Sequence, residues 1–400
     1  MKNLLLMAFA LAFFTLGGTA FAVTVDMIAD GGDEKIDVGD VTVVLDYPYF
    51  DVTFTTVDGW LMNETHVHVF FQDYLLGGDL IGIRLKNGNP APGKFDFKHE
   101  DLGGVTSDMY DDEINVLDLG DILVDPGLYD IFVAAHAEVQ KQLSMEVCSD
   151  GDETFEAVSG PGTVGNPNIT PVPPRSGTAV AAWQHSTWIT NVNPLFSCGT
   201  WIWESNRVVD PIFGTVVDFS ETFNIPGPPV GGTLKVTTDN GYEAYLNGDP
   251  LGDDGLSGAW RTSDLTESYV TTAMSAWSSV ESLDLTGSLQ EGDNALDFAT
   301  ANEYMNPDDP GNPVGTVDSN PGGLIYEALI DYLREETAWG GTKGPEPDYD
   351  LSIKFPGKNW AIYFHSGVLF YVPEPFSAEM LGESEVSDAP ILIPLDAVED

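Results

Sequence analysis

The sequence predicts an all-β fold made of two antiparallel β-sandwich domains. Short runs rich in Val, Ile, Thr, Tyr and Phe recur along the chain between Gly, Asp and Pro, and no long stretch carries the 3.6-residue period of an amphipathic helix. In the middle, Asp239-Asn240-Gly241 and Asn247-Gly248 bracket the alternating segment Tyr242 to Leu246. Asn-Gly pairs adopt positive φ cheaply, so both read as tight turns around a short strand. With 42% hydrophobic and 11% aromatic residues, the chain can bury large cores.

In order along the chain, Lys2 precedes an apolar run from Leu4 to Leu16, and the small residues Ala20 and Ala22 suit cleavage before Val23. Residues 1–22 are therefore expected to be a signal peptide, the run being too short to span a membrane. Strand runs follow at Val41 to Leu45, Asp51 to Thr56, Thr65 to Phe71, Leu80 to Leu85, Ile114 to Leu117 and Tyr129 to Val139. Residues 144–177 shift to Gly, Pro, Asp and Asn and read as a linker or long surface loop. From Thr178 strand signals resume, with Asp218 to Ile225, Gly232 to Thr237, Ser282 to Leu285, Asn294 to Ala299 and Leu324 to Leu333 flanking the central hairpin. Residues 373–400 form an acidic tail whose apolar run, Ile391 to Leu395, is expected either to dock as an edge strand or to stay free. Val372-Pro373-Glu374-Pro375 looks like the start of a bacterial C-terminal sorting signal, but no apolar helix or basic tail follows it. The product is thus expected to be released, or held at the surface by other proteins.

Sixty-four acidic against 15 basic residues give a formal charge of −49. Nucleic acid and anionic membrane surfaces would be repelled, which argues against both as partners. The charge fits high salt, or abundant divalent cations. Cys148 and Cys198 are the two cysteines; in an oxidising compartment a pair is expected to be bonded.

Residues 178–334 resemble the galactose-binding-like β-sandwich family, a jelly roll. The resemblance rests on Trp201-Ile202-Trp203, on Phe219 to Phe223 before a Pro-rich turn, on Thr238 to Gly248, and on Leu285 to Leu296. It implies a carbohydrate-binding or architectural module. The flanking stretches are similar to an uncharacterised secreted β-domain of bacterial and archaeal surface proteins. Gly59-Trp60, Glu64-Thr65-His66, Pro92-Gly93-Lys94-Phe95, Lys98-His99-Glu100 and Ala134-Ala135-His136-Ala137 match its first part, and Glu336-Thr337-Ala338-Trp339 with Phe355 to Phe364 match its end. This likeness implies an outer domain of residues 23–143 and 335–372, interrupted by the linker and by residues 178–334.

The most suggestive cluster is Glu64, His66 and His68, with His99 and His136 elsewhere in the outer domain. Residues two apart on a strand share a face, and imidazole with carboxylate suits zinc or iron. Hydrogen-bonded structural histidines are the alternative, with Thr65, Val67, Val69 and Phe71 as the core face and the histidines on a solvated or partly covered one. Acidic turns at Asp150 to Glu153, Gly252 to Gly255 and Asp308 to Gly311 suit calcium, and no organic cofactor is expected. Trp260 and Trp277, in Gly/Ser/Thr-rich sequence with Asp253, Asp254, Arg261 and Asp264 nearby, are candidate sugar-stacking rings with hydrogen-bonding neighbours. No nucleophile elbow, His-Glu-x-x-His helix or phosphate loop is present. The sequence thus predicts a secreted or cell-surface, non-catalytic protein that binds glycan, matrix or a surface protein, or builds the envelope. The rival is a secreted metal-dependent hydrolase using the His/Glu cluster.

Overall fold

The computed structural model describes residues 21–30, 35–73, 79–83, 85–120, 123, 125–159, 173–207, 215–239, 241–254, 276–302, 321–341, 352–355, 361–372 and 391–394. The described chain is all-β with antiparallel pairing throughout its registered strands. It divides into two compact units, one of Met1–Lys141 with Glu335–Asp400 and the other of Gln142–Arg334.

The first unit starts with β1 (Phe21–Asp30), β2 (Lys35–Asp46), β3 (Tyr49–Thr56), β4 (Leu61–Asp73), β5 (Phe97–His99) and β6 (Ser107–Asn115). A short helix, α1 (Val116–Gly120), leads to the long strand β7 (Gly127–Cys148). After the second unit it closes with the end of β18 (Gly323–Gly340), β19 (Ser352–Lys354), β20 (Ile362–Val372) and β21 (Ile391–Pro394). The strand order is β19-β20-β7-β18-β1-β2-β3-β6, with β4 pairing β5 and β7, and β21 pairing β20. β7 and β18 each contribute residues to both units. Gly39, opposite Met27 where the β1–β2 register slips, has φ +152°, and a Cβ there would meet the Thr55 carbonyl at 1.9 Å, so this bulge demands glycine.

Two apolar clusters lie on opposite faces of β4 and β7. Val67, Val69, Phe71, Val133 and Ala135 belong to the main core, with Met27, Phe54 and Tyr110 from β1, β3 and β6. Phe70, Phe132 and Ala134 belong to a second cluster with Phe95, Trp339 and Tyr363. A register slip between Met62 and Glu64 puts Met62 in the main core and sends Glu64, His66 and His68 to the second face.

The second unit continues with β8 (Thr154–Ser159), β9 (Arg175–Thr178), β10 (Val180–Ala181), the helix α2 (Ser186–Asn191), β11 (Ile202–Trp203), β12 (Thr215–Ile225) and β13 (Pro229–Asp239). Then come β14 (Gly241–Leu246), β15 (Asp249–Asp254), β16 (Glu281–Asp284), β17 (Gly292–Asn302) and the first part of β18. A six-stranded sheet, β15-β14-β17-β12-β8-β9, and a second sheet, in which β16, β13, β18, β11 and β10 pair in that order, sandwich a shared core. Trp188 and Trp201 stack there at 4.1 Å between centroids, and Trp203 lies 5.7 Å from Phe219. Asn247 (φ +55°) and Gly248 (φ +85°) form the expected hairpin turn between β14 and β15. The 239–241 link is a corner: β13 ends in one sheet and β14 begins in the other, and Asn240 lies outside the described residues.

Three sequence expectations need correction. The described parts of residues 144–177 are not a linker: they supply the end of β7, all of β8 and most of β9, and β8 pairs with β12 from Thr154 to Ser159. The polar alternation of Thr154, Glu156 and Ser176 is the outward face of a sheet, which composition alone does not separate from a loop. Leu80 to Leu85 is not a strand; Ile81 makes one isolated bridge to Phe71, and the positive φ of Gly82 (+98°) breaks the run, whose Leu80, Ile83 and Leu85 cover the second cluster instead. Ile114 ends β6, and Val116 opens α1 rather than extending a strand. The apolar tail run docks as β21 against Val368 to Tyr371. Residues 1–20 of the expected signal peptide and most of the tail lie outside the described residues.

Candidate functional site

Pairing of β4 with β7 sets His66 opposite His136 and Glu64 opposite Glu138 on one face. His66 Nδ1 and His136 Nδ1 are 3.0 Å apart, so one ring donates its N–H to the other. Both rings are buried, 3% and 4% exposed, and Trp339 meets His136 edge-on at 4.9 Å. Burial, and then the neighbouring His66, push His136 down to about 3; burial also lowers His66, against the pull of Glu64. The pair is therefore neutral at ordinary pH. Glu138 is raised by burial and by Glu64 and Glu335. His68 donates from Nε2 to the Gly82 carbonyl at 3.0 Å, has Nδ1 3.1 Å from Asp96, and lies against Phe95 at 5.4 Å. These histidines sit beneath the second aromatic cluster, which corrects the expectation of a solvated or partly covered face.

His99 is not part of that group. It lies opposite Thr65, so it belongs to the other face of β4. There it stacks on Tyr110 at 4.1 Å, places Nδ1 2.9 Å from Asp108 and Nε2 3.2 Å from Glu113, while Tyr110 donates to the Thr65 carbonyl. The five residues proposed from sequence as one ligand set thus divide between two faces. Among the described residues, none of the histidines belongs to a group of three His, Cys, Asp or Glu ligand atoms within 4.8 Å of one another. What the His66–His136 pair does chemically is hold two neutral, mutually hydrogen-bonded rings in a core.

In the second unit, Asp150, Asp152 and Glu153 do bring ligand oxygens within 4.8 Å. Glu153 is buried and its carboxylate accepts from Gly151 N–H at 2.9 Å and the Tyr326 hydroxyl at 2.9 Å. Burial, then Asp152, Glu153 and Asp150, push Glu221 up to about 7. Cys148 and Cys198 are bonded, with Cα atoms 5.9 Å apart.

The open site of this unit is on the outer face of its six-stranded sheet. Phe155, Phe219 and Phe298 point into the core, so period-two alternation turns Thr154, Glu156, Asp218, Ser220 and Asp297 outward. Thr154 lies opposite Ser220 and Ser220 opposite Asp297; Ser176 lies opposite Glu156 and Glu156 opposite Asp218. Two cross-strand rows thus line a cleft of about 500 Å3 with three carboxylates and three hydroxyls. At one side the face closes over buried Val216, Ala299 and Ala301. Such a surface accepts hydrogen bonds from hydroxyl or amine donors, and its volume suits a small ligand.

None of the ligand residues expected from sequence is among the described lining of this cleft. Trp277, a candidate sugar-stacking ring from sequence, is partly buried against the sandwich core. Asp253 is exposed on β15, opposite Glu243. Trp260, Arg261 and Asp264 lie outside the described residues, as does the side chain of Asp254. The cleft was missed because β8 and β9 fall in the stretch read as a linker. The alternation Asp218-Phe219-Ser220 was its available signal.

No family model matches the chain. No curated protein matches it either. Among solved structures, it is similar to an α-L-rhamnosidase from Aspergillus terreus at 11% identity, covering 86% of this chain and 34% of that one, with a TM-score of 0.22. A Streptomyces avermitilis α-L-rhamnosidase complexed with L-rhamnose gives 12% identity, 86% and 27% coverage and a TM-score of 0.23. A β-glucuronidase from an uncultured Clostridium species gives 10%, 47%, 29% and 0.23. The chain spans only 34%, 27% and 29% of these three structures. At such TM-scores the likeness carries no argument about fold or activity.

Proposed function

We propose that the protein is an exported, non-catalytic glycan-binding protein of a cell surface or extracellular matrix, and that the outer-face cleft of the second unit holds the sugar. On this reading the second unit is a galactose-binding-like module inserted in an outer β-domain. The observation that carries it is the cleft's lining: Glu156, Asp218 and Asp297 interleaved with Thr154, Ser176 and Ser220 across four adjacent strands. Carboxylates accept from sugar hydroxyls, hydroxyls both donate and accept, and the rigid sheet fixes their spacing. The acidic surface restricts the ligand to neutral or basic glycans, because anionic ones would be repelled. The His66–His136 face supports the rival hydrolase poorly, since its rings are buried, neutral and engaged with each other.

A glycan array probed with the full chain tests this, alongside Ser220→Trp, which fills the middle of the cleft. Binding to a defined set of neutral or amino-bearing glycans, lost in the variant, is expected. A chain that binds no glycan, or a variant that binds as well as the parent, rejects the reading.

A further inference from the structure

The outer face of the six-stranded sheet continues beyond the cleft, onto β14. Tyr242, Ala244 and Leu246 of that strand belong to the core, so alternation turns Glu243 and Tyr245 outward. Tyr245 lies opposite Asp297, Asp297 opposite Ser220, Ser220 opposite Thr154 and Thr154 opposite Thr178. One row therefore crosses five adjacent strands, β14-β17-β12-β8-β9, with an aromatic ring at one end and a hydroxyl or carboxylate at every other position. Glu243, Ala299, Asp218, Glu156 and Ser176 form the row beside it. The cleft occupies the middle of these rows, and its described lining stops on this side at Asp297, one strand short of Tyr245.

Tyr245 is the one aromatic side chain of the two rows, and it is partly exposed. Its hydroxyl donates to the Glu243 carboxylate at 2.6 Å, which ties the far end of the ring to its own strand and fixes it as a wall beside the cleft. An aromatic face takes the apolar C–H face of a pyranose, and a ring already held loses little freedom in doing so. Neighbouring strands lie about 4.8 Å apart, so the four spacings from β14 to β9 carry the row over roughly 19 Å. A single pyranose covers a fraction of that span, and a chain of several covers it.

We infer, on the reading of the cleft as a glycan site, that this face binds an extended, neutral β-1,4-linked oligosaccharide laid across the strands, with Tyr245 as its stacking residue. Sugars joined β-1,4 through equatorial oxygens form straight ribbons, with hydroxyls along both edges and C–H groups on the faces. Such a ribbon follows a straight cross-strand row. One ring lies on Tyr245, while edge hydroxyls of the next rings donate to Asp297 and exchange hydrogen bonds with Ser220 and Thr154.

Calorimetric titration of the full chain with β-1,4-linked gluco-, xylo- and manno-oligosaccharides, from the disaccharide to the hexasaccharide, tests this. In at least one series the affinity is expected to rise about tenfold or more beyond the disaccharide. Tyr245→Ala should lower the affinity for the hexasaccharide of that series at least about tenfold, whereas Tyr245→Phe, which keeps the ring, should bind within about threefold of the parent. Should Tyr245→Ala fail to fold, Tyr245→Leu takes its place, keeping bulk without an aromatic face. No binding in any of the three series, an affinity that does not rise past the disaccharide, or undiminished hexasaccharide binding without the ring overturns the inference. If the parent then binds another glycan and loses it in Ser220→Trp, the cleft reading stands and only the extended mode falls. If Ser220→Trp changes nothing either, both fall.

Discussion

The face of β4 and β7 that carries the histidines and the outer face of the six-stranded sheet are both two-residue alternations on central strands, yet they end in opposite environments. In the first unit the face opposite the main core is covered again, by Phe95, Trp339, Phe355 and Tyr363, so His66, His68 and His136 are buried. In the second unit the face opposite the core stays open over Glu156, Asp218 and Ser220. The difference teaches that residue type is a poor guide to accessibility here. The chemically versatile histidines are packing elements, whereas ordinary Asp, Glu, Ser and Thr line the accessible surface.

If the histidine face is a second core, truncating its aromatic floor should be the most damaging change. Phe70→Ala, at 0% exposure, is expected to cost about 3–5 kcal/mol in chemical denaturation. A loss under ~1 kcal/mol would mean that this face is loosely covered and would reopen it as a site. The Cys148–Cys198 bond, with a sequence separation of 50, constrains only the second unit. Its reduction should cost about 4 kcal/mol in the chain-entropy model. Amide exchange is expected to quicken in residues 142–334 on reduction, and equal quickening in the first unit would contradict the contrast.

Acid and alkali should probe the two units with opposite sign. For His136, the unfolded chain takes up a proton near pH 6.5, whereas the folded one resists until about 3, so its stability contribution falls as pH drops through that window. His136→Phe should flatten the acid limb of a plot of melting temperature against pH. For Glu221 the folded carboxyl holds its proton up to about 7, against 4.5 unfolded, so its contribution is present in acid and lost as pH rises from 4.5 to 7. Glu221→Gln should therefore raise the melting temperature at pH 8 and leave it little changed at pH 4.5. The same response at both pH values would show that Glu221 does not feel Asp150, Asp152 and Glu153.

Much of the fold was legible in the sequence. Short Val/Ile/Thr/Phe runs marked β2, β3, β4, β7, β12, β13 and β17, and Asn247-Gly248 marked the β14–β15 turn, because positive φ and period-two burial leave local traces. The slip between Met62 and Glu64 left no such trace, since a bulge is fixed by the partner strand. For the same reason the separation of His99 from His66 could not be read: it depends on β5 pairing Thr65 with His99. Strands β8 and β9 were hidden because half of each is outward polar sequence, and that polar half is what makes the candidate cleft. Of the two tryptophans singled out from sequence, Trp277 packs partly against the core through contacts that local sequence does not encode, and Trp260 lies outside the described residues.

The smallest effect on stability and the largest on binding should come from the cleft itself. Exposed polar substitutions usually change stability by no more than about 0.5 kcal/mol, so Glu156→Ala with Asp218→Ala should melt close to the parent. The decisive measurement is the calorimetric affinity of this double variant for a glycan that the parent binds, taken beside its melting temperature. The account predicts affinity reduced at least about tenfold, as expected for the loss of one good hydrogen-bonding group or more, at an unchanged melting temperature. Undiminished affinity in a fully folded variant would contradict it and would move recognition away from the outer face of the six-stranded sheet.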